Sequence, residues 1–533
     1  MMPERIYIFD TTLRDGAQSQ GTDFSVADKQ AIARELDRIG IDYIEGGWPG
    51  ANPTDDAFFA DRPVLSHARF TAFGMTKRAG RSVENDPGLS AVVNSSADTI
   101  CLFGKTWDFH VDIALGIGRD ENITGIRESI AAAHDRKGEA IFDCEHFFDG
   151  YKANPDYALE CAVAAYEAGA RWVVLCDTNG GTLPDEVEAI VREVAARIPA
   201  DRLGIHAHND TENAVANTLA AVRAGVRHVQ GTLNGLGERC GNANLVSLLP
   251  TLMVKMGFES GVTPEKLARL THLSRWFDEH VMNRAPQRNA AYVGESAFAH
   301  KGGVHVSAVE KAPETYEHID PTLVGNKRHI VVSDQAGRSN VLARLRSVGV
   351  EVDPQHANIS KLVALVKQRE FDGYAYDGAE ASFEMLARRL LGQVPDYFEL
   401  KRFSVTDERR FNARGELVTE SEATVKVRLG REMRHTVADG NGPVNAIDLA
   451  LRKALLDFYP QLEGLRLVDY RVRIMRETQA TGATTRVHID SVNGDGDRWT
   501  TVGVSTNIID ASFDALLDSF TYKLFRDQAS AVT

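Results

Sequence analysis

The chain has 533 residues, too many for one ordinary hydrophobic core, and 43% of them are hydrophobic, enough to bury two or three domains. A formal net charge of -15 argues against nucleic acid or an acidic membrane as the main partner, and leaves any anionic ligand to a local basic patch. No apolar run reaches the length of a membrane span and strand-like sequence starts at Ile6, so neither a signal peptide nor a membrane helix is expected, and the cytoplasm is the expected compartment.

From the N-terminus to about residue 270, short apolar runs alternate with amphipathic stretches. Eight runs stand out: IYIFD, DYIEGG, RFTAFGM, DTICLFG, AIFDCE, WVVLCDT, LGIHAH and HVQGTLNG. Eight β/α units predict a TIM barrel over residues 1–270. Ser25 and Asn154-Pro155 supply helix starts, and Gly40, Gly169 and Gly225 each sit where a helix should end, three or four positions before the next apolar run at Tyr43-Ile44, Val173-Val174 and Val229. Residues 271–390 lose the strand alternation and predict a helical linker with polar turns such as DQAGRSN and EFDGYAYDGAE. Beyond Pro395, strand-like runs (EATVKVRL, LVDYRVRIM, TTRVHIDSV, WTTVGVST) mix with helical ones, which predicts a separate α+β domain over 391–533. Its DGNGPVNA segment, Asp439–Ala446, lacks a Walker lysine and G-x-G-x-x-G spacing, so capping and turn chemistry is expected there rather than a phosphate cradle. Of five cysteines, Cys101, Cys144 and Cys176 lie in apolar runs and are expected to be reduced core residues; Cys240 lies in a Gly-rich loop with no activating base in sight.

On a barrel the C-terminal strand ends share one rim, which brings Asp15, Glu145, Asp177, Thr178, His206, His208 and Asn242 to the same mouth. In HAHND the two histidines are two residues apart, and strand alternation points both imidazoles the same way. With Asp15 and an amide oxygen from Asn242 they form a donor set for a divalent cation with open positions, whereas a closed structural zinc site would use thiolates. The plain alternative for the pair is a hydrogen-bonded surface couple. A cation here would chelate a 2-oxo acid and polarise its ketone, and Arg14, a permanently charged planar donor, would stabilise the oxyanion. Glu145 is a candidate acid or base, or a hydrogen-bond partner of other site groups. Thr178 is placed to donate to a substrate carboxylate, while Asp177 serves the same site or caps the DTNGGTLP turn. A second group, His300, Lys301, His305 and Tyr316, follows in AFAHKGGVHVSAVEKAPETY. A second metal site, a general base with its partners and an exposed polar loop are the alternatives there; the residues favour the loop, with His305 kept as a candidate base.

With FDTTLRDGAQS, GIHAHND, CDTNGG, GERCGNANL and AFAHKGGVHVSAV in view, the chain resembles the acyl-CoA condensing branch of the DRE-TIM metallolyases, the 2-isopropylmalate, homocitrate and citramalate synthases, over essentially its whole length. EGGWPGANPTDDAFF and TAFGMTKR resemble the citramalate branch more closely. The resemblance implies a condensation of acetyl-CoA with pyruvate followed by thioester hydrolysis; the alternative is 2-oxoisovalerate, in leucine rather than isoleucine biosynthesis. It also implies Asp15, His206, His208 and Asn242 as ligands of Zn, Mn or Mg, Arg14 as the oxyanion group, and Glu145 and Thr178 on the substrate. His305, accompanied by Tyr316, would act in the partner subunit's barrel of a homodimer. The last domain would bind the end-product amino acid.

Overall fold

The computed structural model describes residues 4–301, 303–330, 338–353, 355–411, 413–475, 483–494 and 496–532. The chain forms two compact units, 1–298 with 319–327, and 299–318 with 328–533.

The first unit is the expected barrel. Its strands are β1 (Tyr7–Asp10), β2 (Tyr43–Gly47), β3 (Arg69–Met75), β4 (Thr99–Lys105), β5 (Ala140–Glu145), β6 (Trp172–Asp177), β7 (Leu203–Ala207) and β8 (His228–Gly231). All pair in parallel with their neighbours, and β1 closes the ring by pairing with both β2 and β8. These strands read as apolar runs because both faces are covered, by helices outside and by side chains inside. The interior holds Phe9, Tyr43, Phe73, Ile141, Trp172 and Val174. The helix Val26–Ile39 starts on a capping box between Ser25 and Asp28. It ends at Gly40, whose φ of 100° is left-handed and whose Cβ, if it had one, would lie 2.2 Å from the Gly261 carbonyl oxygen. Gly169 and Gly225 repeat the device at φ 99° and 113°. Such short αβ links leave the longer βα loops to build the opposite rim.

In the second unit, β9 (Ala299–His300) pairs with β10 (His329–Ile330). Helices Gly303–Lys311, Arg338–Ser347, Ala357–Phe371 and Glu380–Leu390 follow the expected helical character of the linker. The segment around His305 departs from expectation: it is helix rather than loop. Of the polar turn DQAGRSN, residues 334–337 lie outside the described residues.

The C-terminal part contains two three-stranded antiparallel sheets. One has β11 (Glu399–Phe411), β12 (Leu417–Leu429) and β13 (Glu432–Gly440), followed by helix Pro443–Leu455; the other has β14 (Arg466–Ile474), β15 (Thr485–Val492) and β16 (Arg498–Ser505), followed by helix Ile508–Arg526. The order strand-strand-strand-helix occurs twice, so this α+β region is an internal structural repeat. The helices and sheets share one core, with Phe403 of β11 stacked on Phe513 at 4.4 Å between ring centroids. The DGNGPVNA segment is the turn between β13 and its helix, with Pro443 at the first helical position and Asn445 Oδ1 accepting from the Asn441 amide at 3.0 Å.

Candidate metal centre at the barrel rim

Asp15 follows β1 in a tight turn. The side chain of Asp10 accepts from both the amide and the hydroxyl of Thr12, at 2.9 and 2.8 Å, and Thr12 Oγ1 in turn accepts from the Leu233 amide at 2.9 Å. The β1 turn is thereby tied to the chain leaving β8. His206 is the fourth residue of β7, and His208 lies just beyond it in an isolated bridge to Asn242. Asp15, His206 and His208 converge, with one ligand atom from each within 4.8 Å of the others, and all three are buried.

The spacing inside the trio fits a cation. His206 Nε2 lies 3.3 Å from His208 Nε2 and 3.2 Å from Asp15 Oδ2, while His208 Nε2 lies 4.0 Å from the same oxygen. Two ligand atoms each about 2.1 Å from a cation at a tetrahedral angle are about 3.4 Å apart. Asn242 completes the group: its Nδ2 lies 2.8 Å from Asp15 Oδ2 and 3.1 Å from His206 Nε2, while its Oδ1 is buried without a hydrogen-bond partner. A half-turn of the amide presents that oxygen to the trio. Only glycine fits at 237, where a Cβ would lie 1.8 Å from Asn242 Oδ1. Two neutral imidazoles with a carboxylate and an amide oxygen suit Zn or Mn, whereas Mg would draw chiefly on the oxygens.

The electrostatics keep Asp15 charged and His208 neutral, whereas at His206 burial is outweighed by Asp15, which draws the imidazole pKa up. Burial opposes ionisation of Asp15, but the Arg14 guanidinium and then His206 outweigh it and hold the carboxyl well below its usual range. Burial, reinforced by His206, pushes His208 down to about 3, so its imidazole is neutral at pH 7. Arg14 is aimed by three groups. Its Nε donates to Glu45 Oε2 at 2.8 Å, one terminal nitrogen lies 3.4 Å from Asp15 Oδ1, and its guanidinium sits 3.9 Å from the centroid of Phe73. Phe73 stacks on Phe103, and Trp48 meets both edge-on, giving Arg14 an aromatic wall.

Glu145 ends β5 and pairs with Lys105 at the end of β4. Thr178 follows β6, and its hydroxyl oxygen accepts from the His146 amide at 2.9 Å. Asp177 takes the capping role: it accepts from the Thr182 hydroxyl at 2.8 Å and from Asn217 at 3.2 Å. In the second unit, His305 lies against Tyr316, ring centroids 4.2 Å apart, and both are exposed. His300 bonds instead at 3.2 Å to Glu317, which also pairs with Arg328. Among the described residues, Asp15, His206 and His208 are the one cluster of this kind. Cys101, Cys144, Cys161 and Cys176 are buried and free, and Cys240 is exposed.

Sequence reasoning missed Glu45, Asp143 and Gln230. His206 Nδ1 lies 2.7 Å from Gln230 Oε1, and Gln230 Nε2 donates to Asp143 Oδ1 at 3.0 Å; burial pushes Asp143 up to about 6. The available signal was a polar residue inside an apolar strand: Glu45 in DYIEGG, Asp143 in AIFDCE and Gln230 in HVQG.

Comparison with known proteins follows the same lines. The HMGL-like family model matches residues 5–273, the homocitrate synthase post-HMGL domain-like model 292–370, and the LeuA allosteric (dimerisation) domain model 377–524. The chain is 50% identical to an (R)-citramalate synthase of Aquifex aeolicus over 100% of both chains, and 50% identical to one of Geobacter sulfurreducens over 98% of both. It is 29% identical to a 2-isopropylmalate synthase of Carboxydothermus hydrogenoformans over 99% of each. With its HMGL-like barrel, its LeuA-type C-terminal domain and end-to-end identity to such relatives, the chain belongs to the (R)-citramalate synthase family.

Proposed function

We propose that this chain condenses acetyl-CoA with pyruvate and hydrolyses the thioester, releasing (R)-citramalate and CoA. The observation that carries the reading is the buried Asp15–His206–His208 trio beside Arg14, in a chain 50% identical over its full length to a relative named (R)-citramalate synthase. Asp15, His206, His208 and Asn242 would hold a divalent cation, Zn, Mn or Mg, which when bound acts as a Lewis acid toward the oxygens of a 2-oxo acid.

The chain's own residues do the rest. As the acetyl methyl carbon bonds to the ketone carbon of pyruvate, negative charge gathers on the ketone oxygen, and Arg14 donates to it. Glu45 and the Phe73 face hold the guanidinium for that task. Thr178 accepts from the His146 amide, so its own proton is free for the substrate carboxylate. Glu145, beside Lys105, exchanges a proton with the substrate. His305, with Tyr316 against it, is the base that takes the proton from the acetyl methyl, acting in the partner subunit's barrel. Water then cleaves the thioester to give the free acid and CoA.

In this reading residues 1–270 are the catalytic barrel, 271–390 the linker and 391–533 the regulatory domain, which pairs two copies in a homodimer and binds isoleucine as end product. The match to the LeuA allosteric (dimerisation) domain supports that assignment. No helix among the described residues is long and apolar enough to cross a membrane. Leucine biosynthesis from 2-oxoisovalerate has weaker support, since relatives named 2-isopropylmalate synthase are 29% and 33% identical. The test is free-thiol release from acetyl-CoA with pyruvate, before chelation, after it and after a divalent cation is restored. Release that stops on chelation and returns with the cation is expected. No release under any condition refutes the proposal.

A further inference from the structure

A neutral imidazole offers one lone pair to a cation, and its other nitrogen must carry the proton. For His206 the nitrogen facing away from the trio is Nδ1, which lies 2.7 Å from Gln230 Oε1. An amide oxygen only accepts, so Nδ1 donates and, in the neutral ring that binds a cation, the lone pair is on Nε2, the nitrogen facing Asp15 and His208. The orientation of the Gln230 amide is itself decided across the barrel interior. Its Nε2 lies 3.0 Å from Asp143 Oδ1 on β5 and 3.5 Å from His228 Nε2 on β8, and the carboxylate calls for an N–H. Turning the amide over would set oxygen against the carboxylate and a nitrogen donor against a histidine proton. Gln230 is 0% exposed and Asp143 4%, so neither can exchange its partner for water.

The surroundings show no packing reason for such a pair. Phe9, Tyr43, Cys101, Ile141, Trp172 and Val174 fill the same interior with apolar side chains. A buried amide and carboxylate cost desolvation that an apolar pair would avoid. His208 has no equivalent support, because its Nδ1 is buried without a hydrogen-bond partner.

We propose that Gln230, backed by Asp143, is a positioning residue of the cation site: it sets His206 in the Nδ1–H tautomer and holds the ring with Nε2 aimed at the cation. The proposal rests on the reading of Asp15, His206 and His208 as ligands. Losing a hydrogen-bond partner behind a ligand histidine typically weakens metal affinity about 10–100-fold.

The test is Co(II) affinity of the full-length protein, measured after chelator stripping by competition with a chelating dye, alongside the Co(II) absorption bands and the melting temperature of the stripped protein. Gln230→Leu is expected to weaken Co(II) binding about 10–100-fold without lowering that melting temperature. The exchange Gln230→Glu with Asp143→Asn keeps net charge, volume and the donor-acceptor chain. It is expected to restore wild-type affinity or better, and wild-type absorption bands. Unchanged affinity in Gln230→Leu overturns the proposal, and so does an exchange variant that folds but stays weak. If Gln230→Leu does not fold, the exchange variant decides alone. Wild-type Co(II) binding that is absent or indifferent to Asp15→Ala would instead refute the underlying ligand assignment.

Discussion

Asn242 Nδ2 lies 2.8 Å from Asp15 Oδ2, joining residues 227 positions apart. The contact crosses the seam where β8 meets β1, so barrel closure and assembly of the candidate metal centre are one event. A carboxylate this buried stays charged because Arg14 and His206 face it, and its loss removes the anionic member of the ligand set.

Asp15→Ala is therefore expected to abolish stoichiometric metal retention and to lower kcat by at least about 1000-fold, while far-UV circular dichroism stays that of the wild type. Metal content after dialysis checks the first point. A variant that keeps its metal removes Asp15 from the ligand set.

Arg14→Lys tests the oxyanion role. Lysine keeps the charge but not the planar fork, in which Nε bonds Glu45 while the terminal nitrogens stay aimed at a developing oxyanion. We expect kcat to fall about 100–1000-fold with KM changed far less. A rise confined to KM would assign Arg14 to ground-state binding instead.

His305 and Asp15 test the shared site. His305→Ala and Asp15→Ala subunits, each inactive alone, should regain about a quarter of wild-type activity when mixed as exchanged dimers, since half the dimers carry one complete site of two. Proven exchange with no recovery contradicts action across the subunit boundary.

His228 gives a pH dependence of stability. It is 0% exposed, stacked on Trp172 at 5.0 Å, and burial, then the Arg171 charge, pushes its imidazole down to about 3. The unfolded chain protonates this histidine near pH 6.5 and the folded one does not, so its contribution falls as pH drops below 6.5. Relative to wild type, His228→Phe should gain about 2 kcal/mol between pH 7 and pH 5 in urea unfolding followed by tryptophan fluorescence. An equal stability gap at the two pH values contradicts this.

How much was legible in the sequence follows from where each signal lies. The eight barrel strands could be read because each is an apolar run set off by a helix-ending glycine such as Gly40, Gly169 or Gly225. The convergence of Asp15, His206 and His208 was legible because His206 and His208 share one short segment and Arg14 and Asp15 another. Glu45, Asp143 and Gln230 could not be paired, since their contacts depend on the tilt and shear of the closed barrel rather than on spacing along the chain. Strands β11 and β13 were missed because they are rich in charge and largely exposed, as in SVTDERRF and EMRHTVADG. The helix carrying His305 was read as a loop because glycines and a histidine precede a weak apolar stripe.

The central claim is tested most directly by initial rates of thiol release from acetyl-CoA, with pyruvate, 2-oxoisovalerate and 2-oxoglutarate offered separately to the metal-replete enzyme. The account predicts a kcat/KM for pyruvate at least about tenfold above either alternative. A preference for 2-oxoisovalerate, or no release with any of the three, would contradict it.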